Sequence, residues 1–171
     1  LDGNPAFPSD RRAEALVGVT AIFVTHGHFD HADGVPALAK DLGVPIFGMV
    51  ELMGFWAEVA GATTTGFNKG GTVTVGDVAI TMVNAAHSSS MVHKDRLIYA
   101  GDPAGFMVEG EGRCVYVSGD TDVMADMGVL QDLHAPEIGI VCAGGHFTMD
   151  MKRAAYAASK LFKFKTVIPV H

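Results

Sequence analysis

The 171 residues are 49% hydrophobic but only 18% charged, a length and apolar content that suit one domain, 1–171, with a large core. The formal net charge of −7 speaks against broad nucleic-acid binding, which needs Lys and Arg to displace counterions. No apolar run approaches the roughly 18 residues of a membrane span.

Residues Leu1 to Arg12 hold Gly3, Pro5, Pro8 and Asp10 and read as loop. Arg11 to Leu16 reads as a short helical turn, and the apolar run Val19 to Val24 as a buried strand. Asp33-Gly34-Val35-Pro36 reads as a helix start with Asp33 as cap, and the helix ends near Gly43. Pro45 to Met49 is a short strand. Glu51 to Ala60 carries Leu52, Met53, Trp56, Val59 and Ala60 at helical spacing, a core stripe. Thr63 to Gly71 reads as a turn-rich loop.

The period then changes to two. Thr72 to Val75, the turn Gly76-Asp77, and Val78 to Val83 predict a hairpin. Three more strands follow, at Leu97–Ala100, Gly105–Val108 and Arg113–Val117. Met127, Leu130 and Leu133 mark a helix, Glu137 to Val141 a strand. Met151, Ala154, Ala155, Ala158, Leu161 and Phe162 mark another helix, opened by Thr148 and Asp150. Thr166 to Val170 is the last strand. Helix–strand pairs around a block of strands fit a layered α/β sandwich.

Cys114 and Cys142 sit in apolar runs and read as buried free thiols, not as a disulfide framework. No signal peptide is visible, so a cytoplasmic protein is expected, although a chain opening on Leu1 is compatible with an omitted leader. The sparse charge points to surface covered by another copy, as in a homo-oligomer, or by further chain.

One stretch concentrates chemistry. Thr25-His26-Gly27-His28-Phe29-Asp30-His31 places three histidines and an aspartate within six residues, between a predicted strand and a predicted helix. Imidazole nitrogen and carboxylate oxygen suit zinc and its first-row neighbours. Four such groups in so short a turn cannot all reach one tetrahedral ion. The spacing suits two ions, His26 and His28 facing one, Asp30 and His31 the other. Further candidates follow other predicted strands by a few residues: His87 after Val83, Asp120 after Val117, and His171 after Val170. Groups at strand ends can converge on one sheet edge. His93 and His134 read as solvent-facing, and Asp102 as a turn residue.

The cluster resembles the His-x-His-x-Asp-His signature of the metallo-β-lactamase superfamily. Together with Ala86-His87-Ser88-Ser89-Ser90, Gly101-Asp102-Pro103-Ala104-Gly105-Phe106, Ser118-Gly119-Asp120-Thr121, Gly145-His146-Phe147-Thr148-Met149 and Ile168-Pro169-Val170-His171, it looks like the superfamily's small microbial metal-dependent hydrolases. The resemblance implies a four-layer αββα sandwich with the metal site at one edge. It also implies strands upstream of Asp2-Gly3-Asn4-Pro5 and chain beyond His171, both outside this sequence.

The same resemblance implies two divalent cations, with Zn2+ expected and Mn2+ or Fe as alternatives. His26, His28 and His87 would hold the first, Asp30, His31 and His171 the second, with Asp120 bridging and a water or hydroxide completing the bridge. The implied catalytic residues are Asp30, Asp120 and His146. Asp30 would orient the water, and His146 would give a proton to the leaving group or a hydrogen bond to the oxyanion. Asp122, Ser88 and Ser89 would orient ligand histidines.

The expected activity is hydrolysis of an ester, lactone or phosphodiester in a small molecule. The competing readings are a di-iron redox or oxygen-handling protein on the same ligands and a non-catalytic metal-binding module. Neither a membrane nor a nucleic acid is expected as partner.

Overall fold

A computed structural model describes residues 9–171. The reading of residues 1–8 as loop lies outside the described residues; Ser9 and Asp10, expected as loop, instead open a 3-10 turn (Ser9–Arg11) that runs into α1 (Arg12–Ala15), within the helical turn expected from Arg11 to Leu16. β1 (Ile22–Phe23), α2 (Phe29–Ala32), α3 (Val35–Leu42), β2 (Ile46–Met49), α4 (Val50–Ala60) and β3 (Thr64–Phe67) follow. Then come β4 (Thr72–Val75), β5 (Val78–Asn84), β6 (Ser90–His93), β7 (Arg96–Tyr99), β8 (Ala104–Gly110) and β9 (Arg113–Val117). The chain closes with α5 (Met127–His134), β10 (Ile138–Cys142), α6 (Met151–Tyr156), a π-helical turn (Ala157–Leu161) and β11 (Thr166–Val170).

The strands form two main sheets. β1, β2 and β3 pair in parallel, their crossovers supplied by α2, α3 and α4. The second sheet has the order β11-β10-β9-β8-β5-β4, antiparallel from β4 to β9 and parallel from β9 to β11. Here α5 and α6 supply the crossovers. β6 and β7 make a separate hairpin.

Three buried clusters define four layers. Leu52, Met53 and Trp56 of α4 pack with Ile46 of β2 and Ala39 of α3 on the outside of the small sheet. Met49, Ile80, Met82 and Phe106 fill the space between the sheets, with Phe23 edge-on to Phe106 at 5.6 Å. Tyr116, Met127, Cys142, Ala157 and Phe162 seal α5 and α6 against the large sheet. This is the expected αββα order. Both cysteines are free and buried, as expected. Among the described residues no helix is long and apolar enough to cross a membrane.

Several local expectations need correction. Of the expected Val19–Val24 strand, β1 covers Ile22 and Phe23, with the Val24 amide also donating to Phe47 O at 2.9 Å; among the described residues β2 is the one strand that pairs with it. Asp33 does not cap α3; it ends α2, and Gly34 at φ +75° makes the turn into α3. Thr64–Phe67, expected as loop, is a strand in register with Ile46–Met49. β6 was not foreseen. Val59 and Ala60 of α4, Leu133 of α5, and Met151 and Ala155 of α6 are exposed rather than core. Asp150 does cap α6, its carboxylate accepting from the Arg153 amide at 2.7 Å, whereas Thr148 accepts from the Gly144 amide.

Tyr116 is fully buried between Phe162, at 4.9 Å, and Phe164, and among the described residues its hydroxyl has no hydrogen-bond partner. Burial raises its pKa, so the hydroxyl stays neutral. Tyr116→Phe keeps the ring stack and removes an unpaired polar atom. It is expected to raise the unfolding free energy by about 1 kcal/mol, read as a higher denaturant midpoint at unchanged slope.

Candidate metal centre

β9, β10 and β11 are parallel, and β5 runs the same way because two antiparallel steps separate it from β9. Their C-terminal ends therefore share one edge. The loops leaving them carry His87, Asp120, His146 and His171, and the loop after β1 carries the His26–His31 cluster. Hydrogen bonds stitch these loops together. The Ala104 amide donates to Thr25 O at 2.9 Å, joining the two sheets beside His26. The Gly27 amide donates to Ser89 Oγ at 3.1 Å, and the Ala86 amide to Thr121 Oγ1 at 2.9 Å. The Asp122 amide donates to Ala86 O, and the Ala143 amide to Val170 O.

All seven expected ligands come together, in two groups. In the first, His28 Nδ1 lies 3.1 Å from His26 Nε2 and 3.3 Å from His87 Nε2. A tetrahedral zinc with bonds of about 2.0–2.1 Å has ligand–ligand edges of about 3.3–3.4 Å, so this spacing fits one ion. In the second, His31 Nε2 lies 3.4 Å from Asp30 Oδ2 and 3.3 Å from Asp120 Oδ1. His171 Nε2 is 3.1 Å from Asp120 Oδ2 and 3.7 Å from Asp30 Oδ2. The same Asp120 Oδ2 is 3.9 Å from His26 Nε2 and 3.7 Å from His87 Nε2. One buried carboxylate thus stands between both groups. The cluster could bind metal, and its donor set is the one that zinc and its neighbours prefer.

Charge is arranged accordingly. Burial, with neighbouring imidazoles, lowers the His26 pKa to about 3, and burial lowers that of His87. Both rings stay neutral and keep a lone pair for a cation. The hydrogen bond to Asp120 raises the pKa of His31. For Asp120 burial is the largest single influence and pushes upward. The His31 hydrogen bond and the surrounding imidazoles together outweigh it, so the net shift is downward.

The sign of the pH response follows. Unfolded histidine protonates near pH 6.5, whereas folded His26 resists until about 3, so stability falls as pH drops through that window. His31 works the other way, stabilising below pH 6.5, and offsets part of the loss. Metal-free protein is expected to lose on the order of 1–2 kcal/mol between pH 7 and pH 4.5, read from urea midpoints. His26→Gln should flatten that dependence.

The supporting residues divide unevenly from expectation. Ser88 Oγ does lie 3.3 Å from His28 Nε2. Ser89 touches no ligand ring; it holds the Gly27 amide and donates to Ala100 O. Asp122 pairs with Arg153 and accepts from the Val123 amide, so it orients no histidine. Thr25 does, with Oγ1 3.0 Å from His26 Nδ1. Sequence reading missed it, although a hydroxyl next to the first ligand was a usable signal. His93 packs edge-on to Phe55 at 5.1 Å and His134 Nδ1 meets Glu109 Oε1 at 2.8 Å, so neither is merely solvent-facing. Asp102, as expected for a turn residue, is exposed and accepts from Tyr99 and Lys69.

His146 is exposed and edge-on to Phe147 at 4.5 Å. No hydrogen bond or ion pair ties it to the seven residues. Its loop does rest on the cluster: a Cβ at Gly144 would fall 2.6 Å from His171 Nδ1.

A family model described as the beta-lactamase superfamily domain matches residues 1–171. A curated relative in Dinoroseobacter shibae, named UPF0173 metal-dependent hydrolase, is 64% identical over this whole chain and 74% of its own length. One in Paracoccus denitrificans with the same name is 54% identical over the same shares. Among solved structures, the metallo hydrolase Igni18 from Ignicoccus hospitalis superposes with a TM-score of 0.78 at 29% identity, over 90% of this chain and 64% of that one. Zinc-bound PqqB from Methylobacterium extorquens superposes with a TM-score of 0.65 at 14% identity, over 89% and 62%, a likeness of fold.

Proposed function

This chain belongs to the beta-lactamase superfamily, and from that premise we propose that it is the catalytic domain of a metal-dependent hydrolase acting on a carboxylic ester, a lactone or a phosphodiester. His26, His28 and His87 would hold one divalent cation, and Asp30, His31 and His171 a second, with Asp120 shared; zinc is the ion proposed. Two bound cations would lower the pKa of water from 15.7 toward about 7 and neutralise a developing oxyanion. The observation that carries this reading is the single Asp120 carboxylate set between a histidine triad and an Asp/His group.

The protein's own groups divide the remaining work. Neutral His26 and His87 present lone pairs without first losing a proton. Thr25 and Ser88 fix ring orientation at His26 and His28. Asp30 is the more open of the cluster's two carboxylates, so its carboxylate is the one proposed to orient the attacking water and take its proton. His146, on the rim, is assigned proton donation to the leaving oxygen.

The test is metal-replete protein on a panel of lactones, thioesters, carboxylic esters and bis-aryl phosphodiesters, beside chelated protein. Chelation is expected to abolish turnover of at least one member, and re-addition of Zn2+ to restore it. Equal rates with and without metal on every member would overturn the reading. Metal analysis with an optical spectrum separates colourless zinc from a di-iron centre.

A further inference from the structure

Thr121 follows the central carboxylate in the chain, and its side chain is fully buried. Its hydroxyl is used in both directions. Oγ1 accepts the Ala86 amide at 2.9 Å and donates to Asp122 O at 2.7 Å. Ala86 O in turn accepts the Asp122 amide at 3.1 Å. Both backbone polar groups of Ala86 are therefore held by residues 121 and 122. This clasp lies one residue from a candidate ligand on either side: His87 follows Ala86, and Asp120 precedes Thr121. Across it, His87 Nε2 and Asp120 Oδ2 stand 3.7 Å apart.

The carbonyl of Thr121 reaches a third loop. It accepts the Met149 amide at 3.0 Å and the Cys142 thiol at 3.4 Å. Met149 is itself buried, and its oxygen takes the Gly145 amide. The Ala143 amide of the same loop donates to Val170 O, beside His171. One buried residue thus anchors the loops that leave β5 and β10 to the loop that leaves β9. Valine would fill the same space but could not accept the Ala86 amide, so Thr and Val are not interchangeable here.

We propose that Thr121 is a positioning residue that sets the separation of His87 from Asp120, and so ties the cation site of the histidine triad to the shared carboxylate. This rests on the two-cation reading above and adds to it the group that holds the two halves in register. The hydroxyl acts through the backbone of Ala86 and touches no ligand ring. Groups that fix a ligand's orientation without binding the ion typically contribute about 10–100-fold to metal affinity.

The experiment compares wild type, Thr121→Val, Thr121→Ser and Gln131→Leu. The probes are Zn2+, its affinity read by competition with a chromophoric chelator, and Co2+, whose visible absorption follows the geometry of its ligands. Thr121→Val is expected to weaken Zn2+ binding about tenfold or more and to shift the Co2+ spectrum, whereas Thr121→Ser, which keeps the hydroxyl, should stay within about threefold of wild type. Gln131→Leu is the control for lost stability alone. Buried Gln131 accepts the Lys163 amide at 2.7 Å, ahead of β11, whereas His171 follows that strand. It should lower Tm and leave affinity and spectrum unchanged. Wild-type affinity and spectrum in Thr121→Val overturn the proposal, as does an equal loss in Gln131→Leu or a serine variant no better than valine. A second measurement needs no variant and stands even where Thr121→Val fails to fold. In wild type the Ala86 and Asp122 amides should exchange with solvent about tenfold more slowly once Zn2+ is bound, because ions held on both sides keep the clasp shut. Equal exchange with and without Zn2+ overturns the proposal and leaves the hydrolase reading standing. A wild type that binds neither ion removes both.

Discussion

Asp120→Ala is expected to cut kcat/KM by about a thousandfold or more and to leave the protein with one bound metal ion or none, because in the proposed reading several kcal/mol of transition-state stabilisation would depend on the cations. Asp120 is 4% exposed, and among the described residues no other carboxylate touches both halves of the centre. Its Oδ1 faces His31 at 3.3 Å, and its Oδ2 faces His171 at 3.1 Å and the His26 and His87 nitrogens at 3.9 and 3.7 Å. Removing it would leave five imidazoles around the two proposed cations, with only Asp30 to balance their charge. Asp120→Asn keeps the shape but not the charge, and an intermediate loss is expected. Metal content by elemental analysis and steady-state rates on the best ester of the panel check both variants, with far-UV circular dichroism as a control for folding. Two bound ions and a wild-type rate in Asp120→Ala would remove the shared-carboxylate assignment.

Gly119→Ala should be the most destabilising single-methyl change near the centre. Gly119 has φ +58°, where a Cβ is disfavoured by about 1–2 kcal/mol. That Cβ would also fall 2.5 Å from the backbone oxygen of Ala104 and 3.1 Å from the Thr25 side chain. Neither can swing away, since Ala104 is in β8 and its amide holds Thr25 O. Overpacking of this kind adds about 1–3 kcal/mol, for a total of roughly 2–5 kcal/mol out of a typical 5–15. A fall in Tm of roughly 5–15 °C is expected. Gly112→Ala is the control. Its φ is +69° but nothing lies within 4 Å of the added methyl, so only the backbone cost should appear. The residue that Gly119 precedes is Asp120, so the Gly119 variant should also lose metal where the Gly112 variant keeps it.

The candidate donors were legible because ligand chemistry is a property of residue type. His26, His28, Asp30 and His31 announce themselves within six residues, and a His or Asp shortly after an apolar strand marks His87, Asp120 and His171. The β4–β5 hairpin was legible too, since alternation from Thr72 to Val83 is interrupted only by Gly76-Asp77. The Thr64–Phe67 strand was not. Its four residues alternate nothing, and it exists because Ile46–Met49 offers a parallel edge. β6 likewise needs Arg96–Tyr99 across from it. Asp122 looked like a helper to a ligand by proximity in sequence, but Arg153 of α6 claims it.

The sequence by itself determined which atoms are available to a metal and that the chain is a layered α/β sandwich, since side-chain chemistry and hydrophobic period are local. Only the tertiary structure decided which nitrogen of each ring points inward, Nε2 for His26 and His87 but Nδ1 for His28. It alone placed Asp120 between two groups drawn from both ends of the chain. Those outcomes depend on strand order and register, which long-range pairing sets and no short stretch of residues encodes.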